Sequence, residues 1–136
     1  MAKKILSIDD EPAVLKCIEK ALRSKHYEIV TVSDPYKGLE MLKGKHSFDL
    51  LLLDVKMPGK SGFDIYREIG KICNIPVLFV TAYPDVFNAE SKTFEEMWRN
   101  QFAAGLTDII YKPFDLDTFF EKVEGLIGKA KKQKRK

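Results

Sequence analysis

"LLLLDVKMPG", residues 50 to 59, is apolar for four residues, ends on one carboxylate at Asp54 and is then broken by Pro58 and Gly59. Four leucines in a row lack the alternation of a half-wet strand and suit a strand buried on both faces, as at the centre of a parallel sheet. A dry interior has no room for an isolated carboxylate, so Asp54 marks the point where that interior opens onto a site.

Working outward from this run, short apolar stretches alternate with amphipathic ones along the whole chain. Strand candidates fall at residues 5–9, 28–32, 50–54, 77–81 and 109–111. Between them Val14, Leu15, Ile18, Ala21 and Leu22 share one helix face, as do Leu39 with Leu42, and Phe63, Tyr66 and Ile69. Phe119, Val123, Leu126 and Ile127 mark a closing helix. This alternation predicts an α/β fold, a doubly wound parallel sheet with helices on both faces. In such sheets ligands bind at the carboxyl ends of the strands. The strand ends supply Asp9 and Asp10, then Asp54, then Thr81, with Lys112 just past the fifth, while the second strand offers nothing comparable. Contiguity of strands one, three, four and five would bring all these groups to one rim.

With 136 residues and no long low-complexity interior, the chain fits a single domain with its own core. No window approaches the roughly 20 apolar residues of a membrane span, and no targeting segment stands at the N-terminus, so a soluble cytoplasmic protein without membrane insertion is expected. Cys17 and Cys73 have neither C-x-x-C nor metal-ligand spacing and read as buried thiols. The formal charge of +3 comes from the end of the chain: taking Lys129, Lys131, Lys132, Lys134, Arg135 and Lys136 away from 23 basic residues leaves 17 against 20 acidic ones. Residues 1–128 are therefore expected to form a mildly acidic domain and 129–136 a flexible basic tail, a solvated terminus or linker rather than a nucleic-acid or membrane contact.

Three carboxylates on one rim would repel one another, and a divalent cation is the natural compensator. Hard oxygen donors that leave room for water suit Mg²⁺. Asp10 and Asp54 are the candidate direct ligands, with Asp9 orienting a bound water. By itself, "DD" ahead of Pro12 reads as helix capping, and only its joint placement with Asp54 and Lys112 favours the metal. With charge neutralised, Asp54 can act as a nucleophile toward phosphorus. Lys112 would neutralise the incoming phosphoryl group, and Thr81 would donate its hydroxyl to it beside the small Ala82.

"SIDDEP" (7–12), "LLLLDVKMPGKSGFD" (50–64), "VLFVTAY" (77–83) and "YKPF" (111–114) together resemble the receiver domain of two-component response regulators over nearly the whole chain. The resemblance implies a flavodoxin-like fold with five strands in the order 2-1-3-4-5 and five helices. It implies that a histidine kinase or histidine phosphotransfer protein phosphorylates Asp54, and that the phosphorylated surface is read by a downstream protein effector. Asp9 and Asp10 would be the acidic pocket, Thr81 the switch hydroxyl, Lys112 the phosphate-binding lysine, and the Lys56 backbone carbonyl a further metal contact. The Lys112–Pro113 bond is typically cis in the family. The domain would be a phosphoacceptor switch, not a turnover enzyme.

Two features depart from the family pattern. The aromatic residue usual three positions before the site lysine is Ile109 here, which puts an aromatic readout in doubt. The interval from Thr81 to Lys112 is about nine residues longer than usual as judged from the resemblance. "TFEE" at Thr93 to Glu96 reads as a capping box for a helix over about 94–104. The extra residues then belong to the loop 83–92, where Tyr83 and Phe87 are candidate contacts with the pocket or a partner; a tolerated surface insertion is the alternative. Within the helix, Trp98 is a candidate interface anchor if exposed. Lys56 and Tyr83 could shield an acyl phosphate, predicting slow self-dephosphorylation. His26 and His46 fall in loops and are assigned no role.

A haloacid dehalogenase-type phosphohydrolase also uses a strand-terminal Asp with Mg²⁺, Thr and Lys, but places a second Asp two residues on, where this chain has Lys56. No dinucleotide or P-loop glycine motif occurs. No nucleic-acid-reading element is expected after Ile127. The chain also reads as the receiver fragment of a larger DNA-binding or enzymatic regulator.

Overall fold

The four leucines form β3 (Leu50–Leu53), every residue of it buried, at the centre of a five-stranded parallel sheet. The computed structural model describes residues 2–70, 74–82 and 106–134. In chain order its elements are β1 (Lys4–Ile8), α1 (Pro12–Ser24), β2 (Glu28–Val32), α2 (Pro35–Lys43), β3, α3 (Gly62–Ile69), β4 (Val77–Ala82), β5 (Thr107–Lys112) and α4 (Leu116–Lys134). The strand order is β2-β1-β3-β4-β5, the doubly wound order expected from the resemblance. Four helices lie among the described residues. The further helix expected over 94–104, with Thr93, Glu96 and Trp98, falls outside them, as do Cys73 and the loop residues Tyr83 and Phe87.

Strand alternation divides the core into two layers. Leu6, Ile8, Leu51, Leu53 and Phe79 pack toward α2 and α3, meeting Leu39, Leu42, Ile65, Tyr66 and Ile69. Ile5, Leu50, Leu52, Val80 and Ile110 pack toward α1 and α4, meeting Ile18, Leu22, Phe119, Val123 and Leu126. Burial on both faces explains why β3 needs an unbroken apolar run.

The helix starts are specified locally. Asp34 accepts the Tyr36 N–H at the head of α2, and Pro35 supplies a fixed φ at its first position. Ser61 and Asp64 form a reciprocal capping box on α3. At α1 the N-cap is Glu11, ahead of Pro12, with no side-chain cap. Neither acid of "DD" is the N-cap, so the capping reading of that pair taken by itself does not apply: Asp9 accepts the Glu11 N–H at 2.9 Å.

Cys17 is exposed, correcting its expected burial. The α1 residues that enter the core are Leu15, Ile18, Ala21 and Leu22, and position 17 sits roughly a third of a turn off the centre of that stripe. The closing helix runs on to Lys134, so residues 129–134, expected to begin a tail, are helical. Lysine, alanine and glutamine are good helix formers, and cations suit a helix C-terminus. No helix among the described residues is long and apolar enough to cross a membrane.

Candidate functional site

The site grows out of the same alternation. Continuing the rows that face α1 and α4, Ile5 and Ser7 lead to Asp9, Leu50 and Leu52 to Asp54, and Ile110 to Lys112. Three strands thus deliver three charges to one side of the sheet at its carboxyl rim. Thr81 extends the opposite row, after Phe79. The ladder persists past the strand ends, where the Asp54 N–H donates to the Ile8 carbonyl at 3.0 Å and the Asp9 N–H to that of Val32 at 3.2 Å. These bonds hold both acids on ordered backbone.

Lys112 lies at the centre of the cluster. Its Nζ is 2.9 Å from Asp9 Oδ2, 3.1 Å from Glu11 Oε1 and 3.7 Å from Asp54 Oδ1. Carboxylate oxygens of Asp9, Asp10, Glu11 and Asp54 all lie within 4.8 Å of one another. Asp9 and Asp54 are buried, Asp10 is half-buried and Glu11 exposed, so the group runs from the core to the surface. An open cleft over it is lined by Asp10, Asp54, Lys56, Thr81, Ala82 and Lys112, together with Glu11, Met57 and Pro58. The Lys112–Pro113 bond is cis, as expected from the resemblance.

Crowding and burial leave Asp54 poorly accommodated as an anion. Burial pushes its carboxyl up to about 7, Asp9 adds repulsion, Lys112 opposes the rise, and Asp10 reinforces it. Asp9 is also raised by burial, though its bond to Lys112 and the Glu11 N–H pull the other way. Burial alone would lower Lys112, but hydrogen bonding to Asp9 and the field of Asp54 raise it, so the ammonium stays charged. Four carboxylates against one ammonium leave an excess of negative charge in a partly buried place. A small divalent cation with hard oxygen preferences fits this donor set.

Of the residues singled out from sequence, Asp9, Asp10, Asp54 and Lys112 are brought into direct proximity, and Thr81, Ala82 and Lys56 line the same cleft. Asp9 accepts directly from the Lys112 ammonium. Glu11 was missed. Its signal lay in "DDEP", since a proline at the first helical position puts the preceding acid at the N-cap, beside the strand end. Gly62 was missed as well. A Cβ there would stand 2.2 Å from the Asp54 carbonyl oxygen, so only glycine lets α3 begin against the backbone of the central acid.

Comparison with known proteins agrees with this geometry. A family model, the response regulator receiver domain, matches residues 5–124. The nisin biosynthesis regulatory protein NisR of Lactococcus lactis subsp. lactis is 33% identical over 134 residues, covering 98% of this chain and 54% of its own length. The chain spans about half the length of that relative and of the transcriptional regulatory protein SpaR of Bacillus subtilis, 32% identical over 133 residues, 96% of this chain and 54% of SpaR. Among solved structures, a CheY-like receiver domain protein from Methanospirillum hungatei JF-1 superposes with a TM-score of 0.82 at 25% identity, covering 98% of this chain and 99% of that one.

Proposed function

The chain belongs to the response regulator receiver family, and we propose that Asp54 is its phosphoacceptor, charged in a magnesium-dependent transfer from a phosphohistidine on a kinase or phosphotransfer protein. What supports this most directly is the meeting of Asp54 with Lys112, 3.7 Å away, among three further carboxylates at one strand-end rim.

In the transfer an Asp54 oxygen forms a bond to phosphorus as the P–N bond to the donor imidazole breaks, the electron pair leaving with the nitrogen. Asp54 must attack as the carboxylate, and a carboxyl pushed to about 7 is only partly ionised near neutrality. Bound Mg²⁺ would favour the ionised form and neutralise the phosphoryl oxygens. Asp10 and Asp54 would hold it directly, Asp9 through a water and Lys56 through its backbone carbonyl. Lys112 sits close enough to Asp54 to turn from Glu11 to an oxygen of the arriving group. Thr81 donates its hydroxyl to a second oxygen from the end of β4. New partners for these two groups bias the surface around β4 and β5, which a downstream protein effector reads.

The test is incubation with a small phosphodonor such as acetyl phosphate and Mg²⁺, followed by intact-mass analysis. One acid-stable, base-labile phosphoryl group per chain is expected, absent from Asp54→Asn and in the presence of a chelator. An adduct that survives in Asp54→Asn, or continuous release of phosphate without an adduct, overturns the assignment.

A further inference from the structure

The loop between β3 and α3 has two sides. Its inner side, Lys56, Met57 and Pro58, lines the acidic cleft. Its outer side rests on Tyr36, in the first turn of α2, whose hydroxyl donates to the Gly59 carbonyl at 3.0 Å. Gly59 has a φ of 85°, a left-handed conformation that glycine adopts without strain. A Cβ on Gly59 would come within 3.2 Å of the Tyr36 ring, so ring and turn are already in close apposition.

Several contacts hold Tyr36 in this place. Asp34 fixes its backbone through the bond to the Tyr36 N–H. Gly38 lets α2 lie directly on β1, since a Cβ there would meet Ile8 Cδ1 at 2.4 Å. The Lys60 ammonium sits 5.8 Å from the Tyr36 ring centroid and 2.7 Å from Glu68 of α3. Glu68 in turn lies 3.9 Å from Lys43 in the last turn of α2. The tyrosine side is nevertheless open: Tyr36 is 56% exposed, one of two large hydrophobic residues so exposed among those described. A ring left this wet contributes little by burial, and the hydroxyl bond to the loop is its specific contribution.

We propose that Tyr36 is a positioning residue for the metal site, clamping the 55–60 turn from outside through Gly59 so that Lys56, three residues earlier, keeps its place in the lining of the acidic cleft, where its backbone carbonyl would meet the metal. This rests on the assignment of a magnesium site under the proposed function. Other ties act on the same turn: the Gly62 N–H donates to the Val55 carbonyl at 2.9 Å, and Met57 packs in the core on the α2 and α3 side. The Tyr36 bond adds to these ties at the Gly59 carbonyl, and removing it loosens the turn that carries Lys56. Side-chain ligands just past the ends of β1 and β3 are untouched by such a change, so affinity should weaken and not vanish.

Tyr36→Phe keeps the ring and deletes only the hydroxyl, at an exposed place where folding is not at risk. Amide hydrogen exchange is measured on the magnesium-free protein, and Mg²⁺ affinity by calorimetric titration of the full chain. A lost hydrogen bond of ordinary strength predicts exchange at residues 56–60 faster by about 3- to 10-fold and a Mg²⁺ Kd weaker by a similar factor, with the melting temperature nearly unchanged. Unchanged exchange overturns the clamp. Faster exchange with unchanged Mg²⁺ affinity also overturns it, because Tyr36 would then be a strut without a role at the metal. Failure of the wild-type protein to bind Mg²⁺ is a separate result, and it sinks the site assignment itself.

Discussion

Asp49 and Asp54 stand directly before and directly after the same strand, Leu50–Leu53, and their surroundings differ in kind. Asp49, at the amino end, is half-buried and spent on structure: its carboxylate accepts the Lys4 N–H at 2.8 Å while its own N–H donates to the Lys4 carbonyl at 2.7 Å. Asp54, at the carboxyl end, is 4% exposed and is met by one ammonium and three other carboxylates. One acid finishes a hydrogen-bonded ladder, and the other is held in a place that suits it badly as a free anion. The carboxyl end, where the strand's polar terminus is left in excess of its partners, is the candidate site, in line with the general tendency of perturbed acids to mark sites.

The contrast between the two ends breaks most visibly at their glycines. Gly62→Val places side-chain atoms where a Cβ already meets the Asp54 carbonyl at 2.2 Å, and the contacted atom is backbone. Overpacking against backbone predicts a loss of about 2–4 kcal/mol in urea unfolding, with Mg²⁺ affinity falling in whatever protein remains folded. Gly44→Ala, in the connection leading to the amino end, has only ordinary contacts at 3.7 Å and a φ of −83°. It is expected to stay within about 0.5 kcal/mol of wild type. Equal costs at the two positions would mean that the carboxyl end is no more tightly built than the amino end.

The charge contrast comes next in size. Burial pushes the Asp54 carboxyl up to about 7 from its ordinary 3.8, so the folded protein binds more protons than the unfolded chain between those values. Magnesium-free stability should therefore fall as pH rises from about 4 to 7 and level off above, and Asp9, raised in the same direction, adds to the slope. Asp54→Asn removes the buried charge and should stabilise the metal-free protein at pH 8 by on the order of 1–3 kcal/mol, while flattening that slope. Adding Mg²⁺ should raise the melting temperature of the wild type at pH 8 and leave that of Asp54→Asn nearly unmoved. A destabilised Asp54→Asn would show that the carboxylate is as well satisfied as Asp49.

Much of this contrast was legible before the structure, because strand parity is a property of the sequence. A doubly buried run such as Leu50–Leu53 announces its own end, and Asp9, Asp54 and Lys112 each stand in the first or second place after an apolar row. Contacts that depend on how elements approach one another were harder to read. Glu11 enters the cluster only because α1 turns back at Pro12, and Gly62 matters only because α3 begins against Asp54. Cys17 was misjudged for a similar reason: residue type suggested burial, while the helical stripe set by Leu15, Ile18 and Leu22 left position 17 outside.

The smallest effect tests the quiet end of the strand. Asp49→Ala removes an acceptor for the Lys4 N–H at a half-buried position, and losing one such bond should cost about 1 kcal/mol. Its backbone bond to the Lys4 carbonyl survives, so the register of Ile5 opposite Leu50 should hold. Because the four leucines between the two acids are close-packed, the change should not reach the far rim. Mg²⁺ affinity and phosphoryl incorporation at Asp54 are expected to match wild type once the protein is folded. A change in either by more than about 3-fold would mean that strain at the amino end travels along β3, and that the two ends of the strand are one coupled element.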